Sequence, residues 1–167
     1  MHITMEVDGN QCHADVEGSQ RLIEFLRDHT REKSVKSGCV TASCGSCTVL
    51  LDGQSVRSCT VTAGQADGCS VATVRSAQHD PLLSAIQQAF IDSHATQCGF
   101  CAPGMVIAVR SLLAEEKELT EDDVRQGLRG NVCRCVGYPA ILRAIRSLAP
   151  ATAAGAGDVV DEEESTA

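Results

Sequence analysis

GCVTASCGSCTVLLDG, residues 38–53, sets three cysteines on a glycine-flanked loop that runs directly into a β-branched stretch. Cys39, Cys44 and Cys47 are followed by Cys59, giving the spacing C-x4-C-x2-C-x11-C. A second set, Cys98, Cys101, Cys133 and Cys135, reads C-x2-C-x31-C-x-C. Eight of the ten cysteines therefore fall into two unlike quartets. Four thiolates that converge on one point make a tetrathiolate site. Gly38 and Gly45 allow the left-handed turns that aim backbone N–H groups at sulfur. A hairpin over residues 48–57 then returns Cys59 to the loop.

C-x4-C-x2-C is the opening of a plant-type [2Fe–2S] loop. In the second quartet, each cysteine pair immediately precedes a helix signal: Cys98-Gly-Phe-Cys101 runs into Ala102-Pro103, and Cys133-Arg-Cys135 runs into Pro139. A four-thiolate [2Fe–2S] centre is anionic, and helix N-termini offer free N–H groups and partial positive charge. Zinc is the main rival for the quartets, but its sites favour paired C-x2-C knuckles, which neither the x4 gap nor isolated Cys59 supplies. A thioredoxin-like role for Cys98-x-x-Cys101 lacks the strand–helix context. Rieske ligation needs a histidine beside cysteine, and none of His2, His13, His29, His79 or His94 is so placed. These histidines are expected to be surface or locally bonded residues. Cys12 and Cys69 are left over and are expected to be small buried thiols.

Composition narrows the function further. Hydrophobic residues make up 43% of the 167 but aromatics only 2%, so the core must be aliphatic, and metal sites commonly reinforce small domains of this kind. The start MHITMEVDG has no charged n-region, apolar h-region or twin-arginine motif, and no stretch approaches a membrane span. The expectation is a reducing cytoplasm, where clustered cysteines read as metal ligands rather than disulfides. The net charge is −8, but Asp158, Asp161, Glu162, Glu163 and Glu164 lie in a base-free tail, leaving 17 acids against 14 bases. Neither that balance nor the aromatic content suits a nucleic-acid binder. The tail ATAAGAGDVVDEEESTA is small, acidic and aperiodic, and is expected to be disordered.

The pattern along the chain divides in two. Ile3–Val7 and Cys12–Val16 alternate around Asp8-Gly9-Asn10, a hairpin signal. Ser19 is a plausible N-cap for the helical cluster Leu22, Ile23, Phe25 and Leu26. Thr48–Leu51, the Asp52-Gly53 turn and Ser55–Arg57 make a second hairpin, and Ser70–Val74 a last strand. Two hairpins around one helix match a β-grasp arrangement. From Asp80 the pattern is helical: Asp80-Pro81 opens one helix, Pro103 a second running to Glu116, the Thr120/Asp123 box a third and Pro139 a fourth. The join lies at Arg75–His79. The expected class is α+β, with a β-grasp domain over residues 1–76, a four-helix, bundle-like domain over 77–149 and a disordered acidic tail over 150–167.

Four motifs in this order carry a family resemblance: GCVTASCGSCTVLLDG, Ser58-Cys59, QCGFCAPGM (Gln97–Met105) and NVCRCVGY (Asn131–Tyr138). Over residues 1–149 the chain resembles the small iron–sulfur subunit of the molybdenum hydroxylases, the xanthine dehydrogenase/aldehyde oxidase/CO dehydrogenase family. The resemblance implies a plant-ferredoxin-like domain with one [2Fe–2S] cluster on Cys39, Cys44, Cys47 and Cys59. It implies a helical domain with a second on Cys98, Cys101, Cys133 and Cys135. It further implies a large molybdopterin-binding subunit, a medium FAD-binding subunit and a dimer of heterotrimers. The large subunit hydroxylates its substrate with water as oxygen source. By the same resemblance the second cluster lies nearest the pterin, with Gln97 and Cys135 in contact there, and the first faces FAD. The chain departs from the C-G-x-G-x-C form of many relatives: Val40 and Ala42 carry side chains, so left-handed backbone there would be strained.

The reading is an electron-transfer subunit without catalytic residues of its own; no nucleophile–base pair or phosphate-cradling loop is present. The alternative is an independent two-cluster ferredoxin-like carrier, which needs exposed clusters, whereas the helix starts are expected to bury the second quartet. A zinc-bearing interaction module is the third class. Purines, aldehydes, N-heteroaromatics, CO and acyl-CoA thioesters are all substrates within the resembled family, and this chain does not encode the pocket that chooses among them.

Overall fold

Two Asp-Gly turns fix the registers of the sheet. Asp8 (φ 49°) with Gly9 (φ 82°), and Asp52 (φ 48°) with Gly53 (φ 82°), both adopt the left-handed backbone of two-residue hairpins. They join β1 (His2–Val7) to β2 (Asn10–Asp15) and β3 (Thr48–Leu51) to β4 (Gln54–Arg57). The computed structural model describes residues 1–39, 41–114 and 119–148. The acidic tail, Val40 and the acids at 115, 116 and 118 lie outside the described residues.

β5 (Ser70–Ala72) inserts between the hairpins, so the sheet order is β2-β1-β5-β3-β4. β1 and β5 run parallel while the other pairs are antiparallel. The strand expected over Ser70–Val74 ends at Ala72, because both donors of Thr73 are taken by the Asp8 carboxylate at 2.7 and 2.8 Å. A 3₁₀ turn over Val74–Gln78 follows and forms the join.

Helix α1 (Leu22–Asp28) buries Leu22, Ile23, Phe25 and Leu26 with Ile3, Met5, Val49 and Val71 in one apolar cluster. Its N-cap is Arg21 rather than Ser19. Arg21 bridges to Thr62 in extended form, and the Glu24 carboxylate accepts from the Arg21 backbone N–H at 3.0 Å. The chain therefore stays extended two residues longer than the Ser19 signal suggests.

Four helices follow: α2 (Pro81–Asp92), α3 (Ala102–Leu113), α4 (Glu121–Gly127) and α5 (Tyr138–Arg146). Asp80 caps α2, accepting from the Leu83 N–H at 3.0 Å, and its second oxygen accepts from Arg110 Nε at 2.8 Å. Thr120 and Asp123 form the expected box on α4. The helices share a second aliphatic cluster built on Leu83, Ile86, Met105, Ile107, Leu128 and Ile141. Leu50 from β3 belongs to it, and α3 packs on β3, so the sheet closes one side of the helical core. Among the described residues no helix is long and apolar enough to cross a membrane.

Candidate metal centres

The first cysteine loop is closed by its own backbone. The Gly45 carbonyl accepts from the Thr48 N–H (3.1 Å) and the Thr48 hydroxyl (2.6 Å), with Gly45 at φ 70°. Fully buried Ser58 donates its hydroxyl to the Cys47 carbonyl at 2.8 Å, tying the Cys59 segment to the loop. Cys47 and Cys59 are buried, and Cys39 and Cys44 half-buried. Ala42 does adopt left-handed backbone, φ 61°, so the missing glycine leaves local strain in place. A Cβ at Gly38 would lie 3.0 Å from Cys44 Sγ and 3.2 Å from the Phe100 ring, so Gly38 is where a side chain of the second cysteine loop reaches the first.

The second quartet stands at two helix starts, as its spacing suggests. Cys101 is the N-cap of α3, and Gly137 (φ 75°) that of α5, two residues after Cys135. Cys135 Sγ donates to Cys98 Sγ at 3.4 Å. The expected burial is not met: Cys98 and Cys135 are exposed, and Cys101 and Cys133 only half-buried. Both loops lie at the molecular edge, because each precedes its helix instead of packing beneath it. Gln97 is exposed beside Cys98.

The thiols differ in proton affinity. The Thr41 backbone N–H, then the Cys44 thiol and N–H, lower the Cys39 thiol to about 5. Burial pushes Cys47 up to about 11 and Cys101 up to about 12. The Phe100 N–H lowers Cys98, while the bond that the Cys135 thiol donates to Cys98 raises Cys135. Burial opposes ionisation at Cys133, but the N–H groups of Val136, Cys135 and Gly137 outweigh it and lower the thiol. Cys39 with Cys44, Cys47 with Cys59, Cys98 with Cys135 and Cys101 with Cys133 are thus close pairs. Among the described residues no group of three or more His, Cys, Asp or Glu side chains is arranged to hold a single ion.

All five histidines are exposed, as expected. Cys12 and Cys69 are not buried thiols but half-exposed ones. Cys12 sits on edge strand β2, and Cys69 precedes β5 beside Asp52, whose carboxylate raises it.

Residues outside the cysteine spacing join the quartets. The Val132 N–H donates to the Cys44 carbonyl at 2.9 Å, and Val132 is bonded to Cys133. Buried Asn131 donates to carbonyls of both halves, and Arg57 Nη2 donates to the Gly130 carbonyl at 3.4 Å. Gly104, inside the first turn of α3, is what lets the two halves approach so closely, since a Cβ there would fall 2.2 Å from the Gly45 oxygen.

Residues 73–146 match the [2Fe-2S] binding domain family. The chain is 44% identical over 143 residues to the 6-hydroxypseudooxynicotine dehydrogenase complex subunit beta of Paenarthrobacter nicotinovorans, covering 85% of this chain and 89% of that one. It is 44% identical over 137 residues to the xanthine dehydrogenase iron-sulfur-binding subunit of Escherichia coli O157:H7, covering 81% and 84%. Quinoline 2-oxidoreductase from Pseudomonas putida 86 superposes with a TM-score of 0.81 at 42% identity, over 87% of this chain and 90% of that one. Matched along most of its length by these relatives and by the solved structure, the chain belongs to the small iron–sulfur subunits of the molybdenum hydroxylase family.

Proposed function

We propose that the chain conducts electrons from a molybdopterin centre on a large partner subunit to FAD on a medium one, through two [2Fe–2S] clusters of its own. Cys39, Cys44, Cys47 and Cys59 hold the first cluster in a β-grasp, ferredoxin-like domain of residues 1–76. Cys98, Cys101, Cys133 and Cys135 hold the second in the helical domain of 77–149. Each cluster, when bound, supplies a one-electron couple. The close cysteine pairs and the N–H groups aimed at Cys39, Cys98 and Cys133 fit an anionic dinuclear centre.

The observation that carries this reading is the Val132 N–H to Cys44 carbonyl bond at 2.9 Å. It joins a ligand of one quartet to the neighbour of a ligand of the other through backbone alone. Thiol exposure supports the proposed direction. Cys98 and Cys135 are open, and Phe100 (45% exposed) and Val132 (47%) stand beside them as uncovered apolar surface. A partner covers such a face, and by family likeness it is the molybdopterin subunit, met by Gln97 and Cys135. In this reading the buried Cys47 and Cys59 belong to the cluster that passes electrons on to FAD.

Purified complex should contain about four iron and four sulfide per copy of this chain, with two distinct EPR signals on reduction. A single signal, or zinc, refutes the two-cluster reading. Cys135→Ala should leave the first cluster's signal intact while substrate no longer reduces FAD; normal FAD reduction would refute the direction. A chain that purifies alone, coloured and stable, would instead be an independent carrier.

A further inference from the structure

One side chain spans the junction between the quartets. Asn131 is 6% exposed, and its Nδ2 donates to the Gly45 carbonyl at 3.2 Å and the Gly104 carbonyl at 3.1 Å. The Thr48 hydroxyl lies 3.5 Å away and spends its own hydrogen on Gly45. Gly45 lies between Cys44 and Cys47, Gly104 follows Cys101 on α3, and Asn131 itself precedes Cys133. One amide therefore grips three segments that carry cysteines of both quartets. Its own backbone is anchored on both sides: its N–H donates to the Leu128 carbonyl at 2.9 Å, and its carbonyl accepts from the Tyr138 hydroxyl at 2.8 Å.

The approach leaves no room for side chains. A Cβ at Gly104 would fall 2.2 Å from the Gly45 oxygen, and one at Gly45 would fall 2.2 Å from the Gly130 oxygen and 2.6 Å from Asn131 Nδ2. The hydrogen bonds of Asn131 reach carbonyls and a hydroxyl, not sulfur. Its work is thus separable from ligand supply. The residue bonded to it, Val132, makes the backbone bond to Cys44.

We infer that Asn131 is a positioning residue that sets the distance, and so the coupling, between the two clusters by holding the Cys44–Val132 contact closed. This rests on the two-cluster reading above. The chemistry is specific to an amide. Two carbonyl oxygens need two N–H donors, and Asn131→Asp replaces them with a buried carboxylate facing oxygen lone pairs. The junction should open while all eight cysteines stay in place.

The test uses the full complex, reduced until both signals appear. Magnetic coupling between two paramagnetic clusters falls with the cube of their separation, so it reads the distance directly. Asn131→Asp should keep iron content and both EPR signals but lose the mutual splitting, and electron redistribution between the clusters after flash reduction should slow. Gly104→Ala, acting from the opposite side of the contact, should give the same pattern with Asn131 intact. Unchanged splitting and redistribution in both variants overturns the inference. So does loss of one cluster from both, or failure of both to fold, since Asn131 would then build a site or the fold rather than set a spacing. A wild-type complex without two signals refutes the two-cluster reading instead.

Discussion

Ala42 holds left-handed backbone, φ 61°, in the middle of the first cysteine loop, a conformation that costs a residue with a Cβ roughly 1–2 kcal/mol. Ala42→Gly should therefore raise stability by about 1 kcal/mol, read as a shift in the urea midpoint, with the cluster signal retained; a loss of stability would mean that the loop's strain is held elsewhere. Thiol chemistry gives a second expectation. In cluster-free chain, pH 7 lies above the value of about 5 for Cys39, which favours its thiolate, and well below that of about 12 for Cys101, which favours its thiol. Iodoacetamide should label Cys39 and Cys98 well before Cys47 and Cys101, as followed by peptide mass spectrometry. Equal labelling would show that the backbone N–H groups of Thr41 and Phe100 do not stabilise the thiolates.

Among the elements, α2 depends most visibly on one cap. Asp80→Ala removes both the Leu83 N–H bond and the Arg110 pair and should cost about 1–2 kcal/mol by urea denaturation at pH 7. The cap bond to Leu83 and the Arg110 pair outweigh burial and hold the Asp80 carboxyl below its usual value. Its contribution is therefore present above the ordinary carboxylate value near ~3.9 and disappears as pH falls through the lower folded one. The gap between wild type and variant should close in acid; a constant gap would mean that the charge is immaterial. Caps of this kind were legible in the sequence because their partners are neighbours: Asp80 with Leu83, Thr120 with Asp123, and the two Asp-Gly turns within their own hairpins. The start of α1 was not, since the bridge that keeps Arg21 extended comes from distant Thr62. The cysteine quartets were legible as spacing, but the junction between them was not. Asn131 meets Gly45 across a separation of 86 residues and Gly104 across 27, and local periodicity carries no trace of such contacts. The exposure of Cys98 and Cys135 was misjudged for a related reason: a helix start says which groups point at a site, not what lies above it.

At the scale of the molecule, the sheet and the helices are not independent bodies resting side by side. Leu50 belongs to the helical core, α3 packs on β3, and the junction at Gly45, Gly104 and Asn131 is closed by hydrogen bonds from both sides. The face around the second quartet is open by contrast, and Phe100→Ser should weaken co-elution with the large subunit while leaving iron content unchanged, as read by size-exclusion chromatography; undiminished co-elution would place the docking surface elsewhere. The Cys44–Val132 bond also orders events in time. A ribosome that has released Cys39, Cys44, Cys47 and Cys59 has released every thiol of the proposed first site, yet the loop segment that fixes Cys44 through Val132 is still unmade. At about 5–20 residues per second, that partner follows several seconds later. The first pocket is therefore finished only when almost the whole described chain is, and iron delivered to the nascent chain meets an incomplete cradle.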